Sequence, residues 1–213
     1  ILARGKVVER DAQGQPMRIA GTNMDITARK RVEHEMARMA ECDRLTGALS
    51  RSRFIELAEA EVARARRFGQ ALVLLMLDID HLKRINNGHG HAAGDAVLRE
   101  FVRAVGAELR QNDWLGRLGG AEFAVLMPQT EQAGGAAVAQ RIVDAVRTRE
   151  VLLSGPNGGA DQRLTCTVSV GACLLTRTDT GLDDLLSRAD HALDQAKHLG
   201  RCRVIWSAQP PAV

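Results

Sequence analysis

Arg117–Met127 reads RLGGAEFAVLM. Two glycines and an acid stand between short apolar runs. Glycine reaches the positive φ that tight hairpin turns demand, so the pattern predicts a β-hairpin turning at Gly119-Gly120. Glu122 then sits at the tip or just beyond it. A second acidic stretch, LDID at Leu77–Asp80, closes the most apolar run of the chain, Ala71–Leu77. That run predicts a buried central strand. Two strand ends that both carry carboxylates and could meet suggest a site for metal and phosphate.

Outward from these two strands, the rest of the C-terminal part falls into place. Asp43 and Thr46 suit a turn, and Ser50 or Ser52 suits the N-cap of a helix running to Phe68 and stopped by Gly69. His81–Asn87 predicts a short helix or turn, broken by GHGHAAGD. Ala96–Leu109 predicts a helix with an apolar stripe at Val97, Leu98, Phe101, Val102 and Val105. A helix over Gln132–Arg147, a surface loop SGPNGGAD, a strand over Leu164–Leu174, a helix over Asp183–His198 ended by Gly200, and a strand Val204–Trp206 complete the order. Gln209–Val213, QPPAV, is a tail. No GxxxxGK occurs, which argues against a P-loop or Rossmann site. Helices alternating with strands around one hairpin predict an α+β domain whose sheet has an antiparallel component.

Composition narrows the function. The 213 residues suffice for one full domain plus an appendage. Tyrosine is absent and aromatic content is 3%, too little for a base-stacking platform. A net charge of +3 is too mild for a nucleic-acid footprint. Cys42, Cys166, Cys173 and Cys202 lack paired metal spacing and read as reduced thiols of a cytoplasmic protein. No apolar run is long enough to span a bilayer, and no signal peptide is visible. The chain opens without methionine and reads as a piece of something longer, with room for a membrane anchor upstream.

The N-terminal part is a separate matter. Lys6–Asp11 and Met17–Met24 flank a turn-rich AQGQP and predict a hairpin too small to fold alone. The run GTNMDITARKR resembles the closing strand of a PAS sensor domain and its exit into a signalling helix. Residues 1–27 would then be the tail of such a domain. Residues 28–42 have a narrow apolar stripe and read as a linker helix able to pair two chains.

Five blocks carry a more specific resemblance: DRLTGALSRSRF, LDIDHLKRINNGHGHAAGDAVL, RLGGAEF, TVSVGA and RADHALDQAKHLGRCRV. In order and spacing they are similar to the GGDEF family of diguanylate cyclases, across residues 43–207. The resemblance implies a nucleotidyl-cyclase palm-like, ferredoxin-like mixed sheet with flanking helices. It also implies condensation of two GTP into cyclic di-GMP across a homodimer, with Mg²⁺ or Mn²⁺ as cofactor. By the match, Asp78, the Ile79 carbonyl and Glu122 are metal ligands, and Asp78 and Glu122 are catalytic. Asn86 and Asp95 correspond to guanine-reading positions, and Lys83, Lys197 and Arg201 to phosphate contacts, with the Gly119-Gly120 backbone beside them. Arg110 and Asp113 match an inhibitory RxxD site for cyclic di-GMP. A PAS sensor upstream and an EAL domain downstream are the expected neighbours.

One position departs. The family has Asp or Glu where this chain has Ala121, and alanine cannot ligate. Ala48, Leu82 and Asn87 are smaller departures that bear on packing or turn chemistry. Three readings follow: a domain that binds GTP or cyclic di-GMP with cyclase activity impaired, a working cyclase relying on Asp78 and Glu122, or a structural dimerisation module.

Overall fold

The computed structural model describes residues 2–27, 41–153 and 162–208. The linker helix expected over residues 28–42, the SGPNGGAD loop and the QPPAV tail lie almost wholly outside the described residues. The chain divides into two compact units, Ile1–Ala40 and Glu41–Val213. In the first, β1 (Leu2–Arg10) pairs antiparallel with β2 (Pro16–Met24). Asp11 closes the turn by accepting from the Gln13 and Gln15 amides at 2.9 and 2.8 Å.

The second unit begins with the Asp43–Thr46 turn. Ser50 then N-caps α1 (Arg51–Phe68), and Gly69 ends it at φ 64°, where a left-handed residue suits glycine. β3 (Leu72–Ile79) follows, then α2 (Leu82–His89), α3 (His91–Glu108), β4 (Trp114–Gly119) and β5 (Glu122–Pro128). α4 (Gln132–Thr148), β6 (Glu150–Leu153), β7 (Gln162–Thr165), β8 (Val168–Leu174), α5 (Leu182–His198) and β9 (Val204–Trp206) complete the unit.

Five strands form one mixed sheet in the order β4-β5-β3-β8-β9, antiparallel except for β8 with β9. Alternation along β3 feeds two cores, since successive side chains point to opposite faces. Val73, Leu75, Leu77 and Ile79 pack with Phe101 and Val105 of α3 and Ile142 of α4. Leu72, Leu74 and Met76 pack with Phe54 of α1 and Leu185 and Leu193 of α5. The next residue on this second face is Asp78. Among the described residues no helix is long and apolar enough to cross a membrane.

Three expectations need correction. α3 starts at His91, not Ala96: Gly94 does not break the helix but lies buried inside it, where a Cβ would come within 1.8 Å of Asn86 Oδ1. The strand expected over Leu164–Leu174 is two, because the chain breaks at Cys166-Thr167, where Thr167 donates to the Asp80 carboxylate. The earlier piece, β7, pairs with β6 in a separate ribbon. The hairpin turns at Gly120-Ala121, because Gly119 is still paired, opposite Glu122. Only Gly120 of that turn has positive φ, 48°.

Candidate functional site

The two acidic strand ends meet. Asp78 of β3 and Glu122 of β5 are direct cross-strand partners. Both belong to the sheet face covered by α1 and α5, as Met76 and Ala124 before and after them show. Like charges placed opposite one another are unfavourable unless something offsets them. Here Lys197 of α5 sets its Nζ 3.3 Å from Asp78 Oδ2. Burial nevertheless dominates, so the Asp78 carboxyl lies above its ordinary value; Lys197 opposes the shift, while Glu122 and Asp80 add to it. Glu122 is exposed. Ala121 belongs to the opposite side, packed against the core of α3 and α4, while its carbonyl accepts from the Ile79 amide at 3.2 Å.

Asp80 has a different use. It is buried, and its carboxylate accepts from Thr167 Oγ1 at 2.6 Å, Ser169 Oγ at 2.7 Å and the Cys202 amide at 3.2 Å. Arg201 and Cys202 both adopt left-handed backbone, at φ 63° and 48°. Such conformations cost non-glycine residues about 1–2 kcal/mol each. Asp80 holds this corner and so places Arg201, whose Nε lies 4.0 Å from Asp80 Oδ1.

The nucleobase candidates sit in the α2–α3 corner. Asn86 is on α2, with its Oδ1 buried and without a hydrogen-bond partner among the described residues. Gly94 gives it room, and Asp95 follows immediately on α3, half-buried. A buried acceptor without a partner and a half-buried carboxylate can each accept a hydrogen bond. Lys83 is exposed on α2, three residues before Asn86.

Arg110 and Asp113 form the turn before β4. Asp113 Oδ2 accepts from the Arg110 amide at 2.8 Å, and the Asp113 amide donates to the Arg110 carbonyl at 3.0 Å. The Arg110 side chain is exposed and makes no hydrogen bond or ion pair among the described residues. β4 separates this turn from the Gly120-Ala121 turn by its full length.

Among the described residues no cluster of three or more His, Cys, Asp or Glu side chains could hold a metal ion. Two carboxylates and a backbone carbonyl still fit Mg²⁺. That cation prefers hard oxygens and is usually held by one or two carboxylates, with substrate phosphate and water completing its shell. The unfavourable juxtaposition of Asp78 and Glu122 is what such a cation would relieve. Burial pushes the Cys166 and Cys173 thiols up to about 11 and about 12.

Sequence reasoning left two residues without a role. Asp80 was visible in LDID, but its partners lie 87 and more residues away. Arg117 was visible beside the glycines. It donates from Nε and Nη2 to the Gly120 carbonyl, at 3.2 and 2.8 Å, and from Nη1 to Asp43.

Comparison with known proteins follows the same lines. Residues 40–203 match the family described as "Diguanylate cyclase, GGDEF domain". Over 162 residues the chain is 39% identical to diguanylate cyclase DgcP of Pseudomonas aeruginosa, an alignment covering 76% of this chain and 23% of that protein. It is 32% identical over 211 residues to diguanylate cyclase DgcM of Escherichia coli K12, covering 96% of this chain and 49% of that one. The chain thus spans between about a quarter and a half of the length of these two relatives. Among solved structures, it is similar to the GGDEF domain of DgcB from Caulobacter crescentus in complex with c-di-GMP. There the TM-score is 0.73 at 30% identity, with 80% of this chain and 94% of that chain covered.

Proposed function

This chain belongs to the GGDEF diguanylate cyclase family of cyclic di-GMP signalling, and from that premise we propose that it binds GTP and cyclic di-GMP with cyclase activity impaired by Ala121. The observation that carries this reading is the register of the hairpin. Asp78 and Glu122 are paired across the ladder, while the turn residue between Gly120 and Glu122 offers only a methyl group.

The chain's own residues divide the work. Asn86 Oδ1 accepts from the guanine edge, and the Asp95 carboxylate takes N1–H and the exocyclic amine. Adenine would leave these buried groups unpaired and be rejected. Lys83, Lys197 and Arg201, with the Gly119-Gly120 backbone, meet the triphosphate. Asp78, the Ile79 carbonyl and Glu122 hold Mg²⁺ or Mn²⁺, which when bound neutralises triphosphate charge and acidifies the attacking hydroxyl. In an active dimer the 3′-hydroxyl of one GTP attacks the α-phosphorus of the other and pyrophosphate leaves. Arg110 and Asp113 hold cyclic di-GMP as an inhibitory site.

We read residues 1–27 as a PAS tail and 28–42 as the linker helix that brings two chains together. The similarity to DgcM, which extends through the N-terminal unit, supports continuity between the parts. A second reading, an active cyclase, is favoured by one specific fact: Glu122, not residue 121, faces Asp78. GTP turnover with Mg²⁺ or Mn²⁺, alongside calorimetric titration with GTP and cyclic di-GMP, decides. Binding with negligible turnover supports the proposal. Brisk turnover selects the second reading, and no nucleotide binding at all leaves a dimerisation module.

A further inference from the structure

A pocket of about 740 Å³ opens between the C-terminal end of α1 and the segment that follows β8. It lies at the Leu72 end of β3, so the length of that strand, ~20 Å, separates it from Asp78. Arg66 and Arg67 line one wall and Arg177 the other, with Gln70 between, and no described lining residue is acidic. Arg66 is committed to the Thr180 carbonyl. Arg67 lies over the Phe68 ring at 5.4 Å, and neither Arg67 nor Arg177 has a carboxylate partner among the described residues.

Among the described residues, Gln70, which lines the pocket, and Arg188, which bonds to the lining residue Leu174, have buried polar atoms without partners. Gln70 Oε1 accepts nothing there. Arg188 donates from Nη2 to the carbonyl of Leu174, a lining residue, and to Asp179, each at 2.7 Å, yet its Nε and Nη1 are buried and unpaired. Partial negative charge at the end of α1 explains Arg66 and Arg67. It does not explain Arg177 on the facing wall. Guanidinium forks match phosphate oxygens two at a time. Exposed arginines on two sides of one cavity suit an anion with more than one phosphoryl group.

We propose that this pocket binds a small molecule bearing a diphosphate group, gripped by Arg67 and Arg177 from opposite walls. Gln70 supplies an acceptor for a hydroxyl or amine on the remainder of the ligand.

The test titrates the whole chain calorimetrically with inorganic pyrophosphate and, separately, with ADP, in metal-free buffer at low salt. Omitting metal disfavours the carboxylate site at the other end of β3. The expected result is one site per chain that weakens at least tenfold in the Arg67→Gln/Arg177→Gln double variant and weakens with added salt. Both side chains are exposed, so an unchanged melting temperature is expected of that variant. The Lys197→Gln/Arg201→Gln variant should titrate as the parent does. Equal affinity for the two probes marks the diphosphate alone as the recognised group. Tighter ADP binding, reduced by Gln70→Ala while pyrophosphate is unaffected, extends recognition to the nucleoside. Absence of binding by either probe overturns the proposal, as does binding that survives the Arg67/Arg177 exchange or is lost with Lys197 and Arg201.

Discussion

Arg117 and Asp43, 74 residues apart, are joined by a 3.0 Å ion pair, and the same guanidinium holds the Gly120 carbonyl. Asp43 is fixed in turn by the Thr46 amide and hydroxyl, at 2.9 and 2.6 Å. The first turn of the domain therefore grips the tip of the GGAEF hairpin.

Arg117→Ala should accordingly loosen both. Charge-assisted bonds of this kind are worth about 1.5–3 kcal/mol, and both partners are largely shielded from solvent. The melting temperature should fall by roughly 3–12 °C, at ~2–4 °C per kcal/mol for a chain of this size. The pH dependence has a definite sign. Burial raises the Asp43 carboxyl, but the bonds from Thr46 and Arg117 outweigh it and leave it below its ordinary 3.8. Its contribution is complete above 3.8 and is lost as pH falls through the lower folded value. The gap between the melts of parent and variant should narrow in strong acid, leaving the part that the bonds to the Gly120 carbonyl supply. Parallel curves at all pH values would remove Asp43 from the account.

Asp78 behaves in the opposite sense. Burial raises its carboxyl, so the ionised form weakens the fold at neutral pH, and that cost vanishes as pH falls through the raised value. Asp78→Asn is expected to raise the melting temperature of the metal-free protein near neutrality, with the gain shrinking toward pH 3.8. The same change should abolish any turnover. A lower melting temperature at neutral pH would mean that the Lys197 ion pair outweighs burial.

Gly94→Ala tests the nucleobase corner. The added methyl would meet Asn86 Oδ1 at 1.8 Å and must displace it. Helix propensity favours alanine by up to about 1 kcal/mol, which offsets part of the clash. GTP affinity should fall by roughly 5- to 150-fold, the equivalent of about 1–3 kcal/mol for an unpaired buried group. Unchanged affinity in calorimetry would count against Asn86 as a guanine reader.

Arg110→Ala should weaken cyclic di-GMP by about ten- to a hundredfold, matching a lost charge-assisted contact of about 1.5–3 kcal/mol. The fold should not suffer, because the turn is held by the Arg110 backbone and Asp113, not by the guanidinium. Asp113→Ala should therefore cost both affinity and stability, a difference that melting curves resolve.

Much of this was legible in the chain because its signals are local. Leu72–Leu77 is continuously apolar and fully buried but for Met76, at 6% exposure. Gly69 stops α1 and Asp43–Thr46 turns as their residue types demand. What escaped depends on distant partners. Gly94 resembles a helix breaker until Asn86 is seen packed against it. At Cys166-Thr167 the chain changes partners: Thr167 stays with β3, its carbonyl accepting from the Asp80 amide at 2.9 Å and its hydroxyl donating to the Asp80 carboxylate, while β7 before it pairs with β6. The pairing of Asp78 with Glu122 could be suspected from two acidic strand ends, but only the register sets Ala121 on the other side.

Ala121→Asp is expected to restore or strongly raise diguanylate cyclase activity. Residue 121 occupies the second position of the turn, next to Glu122 and hydrogen-bonded through its carbonyl to Ile79. Its methyl packs toward the core of α3 and α4, so a carboxylate there has to turn out past the end of the sheet to add a hard oxygen donor beside Asp78 and Glu122. Metal stabilisation of a phosphoryl-transfer transition state is worth several kcal/mol. If the methyl group forfeits roughly 3–5 kcal/mol of it, turnover is slowed by about 10²–10⁴-fold. GTP binding should change far less, since Asn86, Asp95, Lys197 and Arg201 are untouched. The hairpin should tolerate the substitution, because Ala121 is only partly buried and its φ is not positive. The comparison is cyclic di-GMP formation at saturating GTP and Mg²⁺, with Arg110→Ala in both proteins to remove product inhibition. Equal and substantial rates would show that Glu122 suffices. Equal and negligible rates with GTP bound would move the defect to the way two half-sites are brought together.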